Sequence, residues 1–304
     1  MNRKVIKPNF FILGAPKCGT TSVAAWLSEH PEVFFSPIKE PMFFYTDAAV
    51  RYVNRLDRYE QLFQGADSSH QAIGEASTRY LFSENAVPEI LKYTTKPRFI
   101  VMLRNPVEMA QALHQQSLFD GDENIKSFDK AWSLQRDREN GRNIPKGCFD
   151  VNRLFYGQVC RLGSQLKRLY ERVPEEDVLL IRNEDLKSDP QGQYRRILGH
   201  LKLKDDGRHI FPIHNEAKAH RFGMVWHILR AMHRYIRKFG GPHIRSRLVQ
   251  HLFELDQQPR QRKQLSNETE SQMIEYFFSE IELLEELTGW DLSAWKRPIM
   301  SSRA

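Results

Sequence analysis

Cysteine is scarce in this chain. Three thiols, Cys18, Cys148 and Cys160, serve 304 residues. The number is odd, and the spacing matches neither a disulfide framework nor a set of metal ligands. That excludes a small staple-built module and fits reduced thiols in a cytoplasmic protein. Long apolar runs are missing too. No stretch approaches the roughly 20 residues that cross a bilayer. The apolar run after the basic start, Met1–Pro8, is too short for the hydrophobic part of a signal peptide, so a soluble protein without a membrane span is expected. There is no internal repeat, no low-complexity linker and no residue cluster of the kind that holds a metal. Acidic residues are the minority charge, 38 against 45 basic, for a formal charge of +7 and a pI near 9.2. A basic balance implies anionic guests such as nucleotide phosphates, acidic glycans or nucleic acid. A solvated basic surface accounts for the charge by itself.

What is present is organised around Phe10–Ser22, FFILGAPKCGTTS. Phe10–Leu13 has the length and composition of a buried strand. Gly14, Ala15 and Pro16 stop it. Lys17, Cys18, Gly19, Thr20, Thr21 and Ser22 then lead into a helix over Val23–Leu27. Loop N–H groups and a helix N-terminus converging on one place make an anion site, which the helix dipole reinforces. Lys17 adds a full charge, and three hydroxyls add donors. The natural guest is a phosphate. The stretch is close to GxxxxGK[ST] but departs from it: Gly14 and Gly19 have the spacing, yet the lysine sits inside the loop. No aspartate follows a later apolar strand where a magnesium-dependent kinase would keep one.

Two further stretches carry chemistry. In Ser36–Asp47, Pro37 and Pro41 bracket Lys39-Glu40 and keep the pair on a loop. Met42-Phe43-Phe44-Tyr45 follows as an apolar wall. A carboxylate held there is expected to be partly desolvated, with raised proton affinity suited to a general base; a surface turn with a salt bridge is the alternative. Arg98–Leu103 reads as a second buried parallel strand ending in Arg104-Asn105-Pro106. An arginine at the carboxyl end of such a strand lies where open α/β sheets bind ligands, and its planar fork suits phosphate.

Together these residues resemble the sulfotransferases that use 3′-phosphoadenosine 5′-phosphosulfate (PAPS), in the bacterial branch related to heparan sulfate sulfotransferases. PKCGTTS resembles the 5′-phosphosulfate loop. Lys39–Phe44, Gly74–Tyr80, Leu103–Pro106 and Glu184–Pro190 follow in the family's order, and LTGWDLSAW resembles the branch's ending. The resemblance covers roughly Asn9–Leu203. It implies an α/β, P-loop-like three-layer fold with a central parallel sheet flanked by helices. It implies one sulfotransferase domain over 1–304, with a nucleotide-binding core over 1–203 and a helical extension over 204–304. It implies transfer of a sulfuryl group from PAPS, without a metal, to a hydroxyl or amine, with a glycan as the favoured acceptor. Glu40 matches the family's base, and Lys17 with Gly14–Ser22 matches the 5′-phosphosulfate site. Arg104 matches the 3′-phosphate site, where the family's serine is replaced by Ala112. Lys218 and Arg221 are candidates to supply the missing contact. Lys39, Glu75, Arg79 and His114 are assigned to the acceptor side, although Glu75, Arg79 and His114 each have an ordinary structural reading. A degenerate nucleotide- or glycan-binding protein and an ATP-dependent kinase are the rival functions.

The rest of the chain is read as support. Tyr52–Phe63, Gly157–Arg172 and Pro190–Leu201 are expected helices, and Asp177–Ile181 is a third long parallel strand. Glu184 and Asp185 are expected to cap the helix that follows. Within Phe119–Asn143, Phe128–Arg136 is an expected helix, and the polar remainder reads as a mobile flap or loop. Met224–Phe239 carries basic residues that could face an anionic acceptor, a membrane surface or solvent. Ser266 is the expected N-cap of a last helix, and Gly289 its C-cap.

Overall fold

The computed structural model describes residues 5–48, 51–213, 218–220, 257–259 and 265–298. The chain opens with β1 (Phe10–Gly14), α1 (Thr20–Ser28), β2 (Val33–Phe35), α2 (Leu56–Gln61), β3 (Ala72–Ala76) and α3 (Ala86–Tyr93). It continues through β4 (Arg98–Leu103), α4 (Pro106–Asp120), α5 (Phe128–Ser133), α6 (Gln135–Glu139), α7 (Tyr156–Val159) and α8 (Leu162–Tyr170). Then come β5 (Val178–Arg182), α9 (Asn183–Ser188), α10 (Pro190–Leu201), β6 (Lys218–His220), β7 (Gln257–Pro259) and α11 (Asn267–Thr288).

Five strands form one parallel sheet in the order β2-β3-β1-β4-β5. The central strand β1 is buried along its whole length, and β4 is buried from Phe99 onward. Parallel strands covered on both faces read as unbroken apolar runs, which is why these two were legible. The chain leaves β1 toward β2 and β3, and leaves β4 toward β5 on the other side. The loops that follow β1 and β4 therefore emerge side by side where the winding reverses, the crevice in which open α/β sheets bind ligands. β6 and β7 form a separate antiparallel pair.

Several boundaries differ from expectation for identifiable reasons. The helix expected over Tyr52–Phe63 is only α2, and Tyr52 and Leu56 lie exposed. The helix expected over Gly157–Arg172 is two, α7 and α8, broken at Cys160–Arg161. The helix expected over Phe128–Arg136 is present as α5 and α6, and the polar remainder of the flap is fastened down: Glu123 and Arg138 form a fully buried ion pair at 2.7 Å, and the Tyr156 hydroxyl donates to Glu123 at 2.9 Å. Asp189, not Glu184 or Asp185, caps α10, accepting the Gly192 N–H at 2.9 Å. The segment Met224–Phe239 lies outside the described residues. At the last helix Ser266 Oγ accepts the Thr269 N–H at 3.2 Å and Gly289 ends the element with φ 67°, as expected.

Candidate active site

The loop after β1 is shaped by what it must avoid. A Cβ on Gly14 would lie 2.5 Å from the Thr78 carbonyl oxygen, so only glycine passes. Ala15 spends its N–H on the Met102 carbonyl at 2.8 Å, and Pro16 has none. Of these two, expected as phosphate contacts, Ala15 ties the loop to β4 and Pro16 has no N–H to give. Cys18 is also turned away. Its Sγ is fully buried, 3.5 Å from the Pro16 carbonyl and 4.0 Å from Met109 Sδ. Burial pushes that thiol up to about 12, so it offers an N–H to a guest and no thiolate.

Gly19, with φ 94°, is the left-handed N-cap of α1. Its carbonyl accepts the N–H groups of Ser22 and Val23 at 3.0 and 3.4 Å, which removes the Ser22 N–H from the expected donors. Among the described residues no backbone carbonyl accepts from the N–H of Lys17, Cys18, Gly19 or Thr20. α1 has neither a side-chain cap nor an acidic residue in its first turn. A helix start left positive in this way fits an anion. Thr20 and Ser22 are buried, and Thr21 is half-buried.

Lys17 takes φ 65°, a strained value for a residue with a Cβ. Arg104 NH1 donates to the Lys17 carbonyl at 3.0 Å and holds it there. The Lys17 ammonium donates to Gln116 Oε1 at 3.2 Å. Burial pulls its pKa below the usual value, opposed by the carboxylates of Asp120 and Glu40. Glu40 thus lies within electrostatic reach of Lys17, and it too sits at a strained φ of 61°. Its N–H donates to the Ala76 carbonyl at 2.9 Å. Its Oε1 accepts from Lys39 Nζ at 2.6 Å and Thr78 Oγ1 at 3.2 Å. The apolar wall behind it is as expected, with Phe43 stacked on Tyr59 at 4.5 Å between centroids. The expected proton affinity is not. Burial pushes the Glu40 carboxyl up, but Lys39, Arg153 and Thr78 outweigh it and hold the group below the usual carboxylate range. The salt-bridged turn and the candidate base are one object.

Arg104 lies at the end of β4 as predicted, 6% exposed, with its Nε donating to Glu108 Oε2 at 3.1 Å and its NH2 paired with the same oxygen. It braces the loop as it stands. Three acceptor-side assignments are corrected. Glu75 is fully buried on β3 and accepts from Tyr59 at 2.8 Å, Tyr80 at 3.0 Å and Ser77 at 2.6 Å, so its oxygens are occupied inside the core. Arg79 is buried, its NH1 3.4 Å from the Asn152 carbonyl. His114 is buried between Phe128 and Tyr156 and bonds the Ile125 carbonyl at 2.8 Å. Lys218 is placed only as backbone in β6, and Arg221 lies outside the described residues. Thr78, Gln116, Asp120 and Arg153 were not anticipated. The one signal for Gln116 and Asp120 is their i, i+4 spacing on the helix that Arg104 introduces.

The arrangement can hold an anion at the start of α1, oppose charge growing on it, and accept a proton at Glu40. Comparison with known proteins identifies the family. The family described as the sulfotransferase domain matches residues 7–216. The membrane-associated sulfotransferase kil1 of Dictyostelium discoideum is 29% identical over 113 residues, 36% of this chain and 23% of that protein. Carbohydrate sulfotransferase 15 of Homo sapiens is 34% identical over 143 residues, 33% of this chain and 26% of that protein. The matches thus span about a quarter of either relative. A sulfotransferase from Alicyclobacillus acidocaldarius has the same fold, with a TM-score of 0.71 at 24% identity over 96% of this chain and 100% of that one. No helix among the described residues is long and apolar enough to cross a membrane.

Proposed function

Because the chain belongs to the sulfotransferase domain family, we propose that it moves a sulfuryl group from PAPS to a hydroxyl or amine of a carbohydrate or glycoconjugate. One observation carries the reading. A lysine on a phosphate-type loop and a carboxylate held ionised share one charge cluster where the sheet's winding reverses.

The acceptor oxygen or nitrogen attacks sulfur in line with the departing phosphate. A new bond to sulfur forms as the sulfur–oxygen bond to the 5′-phosphate breaks, and the acceptor proton passes to Glu40. Such transfers need positioning and charge stabilisation more than covalent help. Lys17, the N–H groups at the start of α1, and the Thr20 and Thr21 hydroxyls oppose the charge that grows on the leaving phosphate. Glu40 fits its task because Lys39 and Thr78 anchor Oε1, leaving Oε2 for the acceptor. Arg104 reaches the 3′-phosphate by exchanging Glu108 for it, with Lys218 and Arg221 as candidate partners and Lys39 toward the acceptor. The name of carbohydrate sulfotransferase 15 supports a glycan acceptor, and three free thiols support a reducing compartment.

Calorimetric titration with 3′-phosphoadenosine 5′-phosphate, beside 5′-AMP and ATP, tests the donor site. The expected result is tight binding that needs the 3′-phosphate and weakens at least tenfold, about 1.4 kcal/mol, in Arg104→Ala. Equal affinity for the three nucleotides sinks the assignment. A non-catalytic reading draws on Ala112, buried where the family's hydroxyl would stand; it predicts the same binding without transfer to any acceptor.

A further inference from the structure

The polar chain closing α4 touches the site but has no role in the chemistry above. Gln116 and Asp120 are one helical turn apart, and Gln116 Nε2 donates to Asp120 Oδ2 at 3.0 Å. That bond fixes the amide and leaves Oε1 for the Lys17 ammonium, 3.2 Å away. Asp120 is fixed in turn. Arg153 NH1 donates to Asp120 Oδ2 at 3.0 Å and to Asp122 Oδ2 at 2.9 Å. Asp122 is 1% exposed and accepts the Phe149 N–H at 2.8 Å. The Ser117 hydroxyl donates to the Arg153 carbonyl at 3.1 Å, so the last link is tied back to α4.

We propose that Gln116 is the positioning residue for Lys17, with Asp120, held by Arg153, setting the orientation of the Gln116 amide. The role of Lys17 in transfer rests on the reading above; the placement of its ammonium does not. An amide turned the other way would present its NH2 to a cation. The Asp120 carboxylate makes that orientation costly, because it would meet the amide oxygen instead. The site also needs Lys17 charged while burying it, and Lys39 and Arg104 add repulsion against Glu40 and Asp120. An oxygen acceptor on the ammonium offsets that loss. The acceptor is neutral for a reason of the same kind. A carboxylate at this position would pair with Lys17 and repel an anionic donor, whereas an amide holds the ammonium and releases it.

The test reads Lys17 directly. Acetylation of the Lys17 amine by an amine-reactive reagent is followed against pH by peptide mass, in the full chain without nucleotide, with Lys39 as internal reference. Gln116→Met keeps the length of the side chain and removes the acceptor; Gln116→Glu keeps the shape and adds charge. The labelling midpoint is expected to fall in the first and rise in the second, each by about one pH unit. A residue that only fills space would move both in one direction or neither, and either pattern overturns the proposal. Titration with 3′-phosphoadenosine 5′-phosphate accompanies it. Gln116→Glu is expected to bind more weakly than wild type by roughly tenfold, although its Lys17 is more fully charged. Undiminished binding in that variant also overturns the proposal. If wild type shows no preference for the 3′-phosphate, the donor reading fails while the labelling result still stands.

Discussion

Two carboxylates, Glu40 and Glu75, are pushed in opposite directions by their surroundings. Glu75 is the deeper one, and burial raises its pKa to about 7 against the pull of three hydroxyl donors. The folded protein keeps that proton to about pH 7, while an unfolded chain releases it near 4.3. Between those values the folded state binds more protons, so this contribution to stability is complete below the unfolded pKa and is lost as pH rises toward 7. The size is on the order of 3 kcal/mol. Glu75→Gln should remove that slope. Urea unfolding at pH 5 and pH 8 should show the variant gaining on wild type at the higher pH, and a constant difference would contradict the account. Glu40 is held low instead, so activity should persist below the usual carboxylate range. Lys39→Ala withdraws the main opponent of burial, and the acid limb of kcat/KM should move to higher pH. Glu40→Gln should cost about 10²–10⁴ in kcat while nucleotide affinity stays. Of this pair the sequence disclosed the prolines and the residue types. It could not disclose the balance, because Thr78 and Arg153 arrive from distant segments.

Among elements, α8 and α11 make a tightly packed contact. Gly163 on α8 faces the α11 backbone, and a Cβ there would lie 2.4 Å from the Glu280 carbonyl oxygen. Glycine to alanine inside a helix gains at most about 1 kcal/mol. Overpacking against a backbone atom costs about 1–3 kcal/mol, so the clash decides the sign. Gly163→Ala should lower the urea midpoint, and an unchanged or raised midpoint would mean the helices can part freely. The same elements mark how far the sequence could be read. β1 and β4 were plain as apolar runs, α10 was found to the residue, and both ends of α11 were signalled by Ser266 and Gly289. β3 was not, because AIGEA is short and carries a glutamate whose partners, Tyr59 and Tyr80, are assembled by the fold. In the flap the helical part was legible and the remainder was misread, because its charges looked solvent-bound, whereas Glu123 and Arg138 satisfy each other in the core.

For the whole molecule the question is whether the last helix belongs to the sheet's core or rides on it. Met273, Phe277, Ile281 and Leu284 are buried and continuous with the core that surrounds β1 and β4. Their polar partner is Glu280, 4% exposed, which accepts from Arg161 Nε at 2.8 Å, the Ser164 N–H at 2.8 Å and Ser164 Oγ at 2.6 Å. Farther along, Trp295 donates its indole N–H to Glu184 at 3.1 Å, next to β5. The last helix and the turn that follows it are thereby fastened to α8 and α9. We propose that the single domain expected over 1–304 unfolds as one unit through this helix. Glu280→Ala strips an acceptor from a part-buried N–H and hydroxyl and should cost about 2 kcal/mol. If the helix is part of the core, the loss appears as one shifted transition, with far-UV circular dichroism and tryptophan fluorescence still coincident. If the helix only rides on the sheet, the variant should instead show an early step in helicity with the main transition unmoved, because the contacts within the parallel sheet do not include α11.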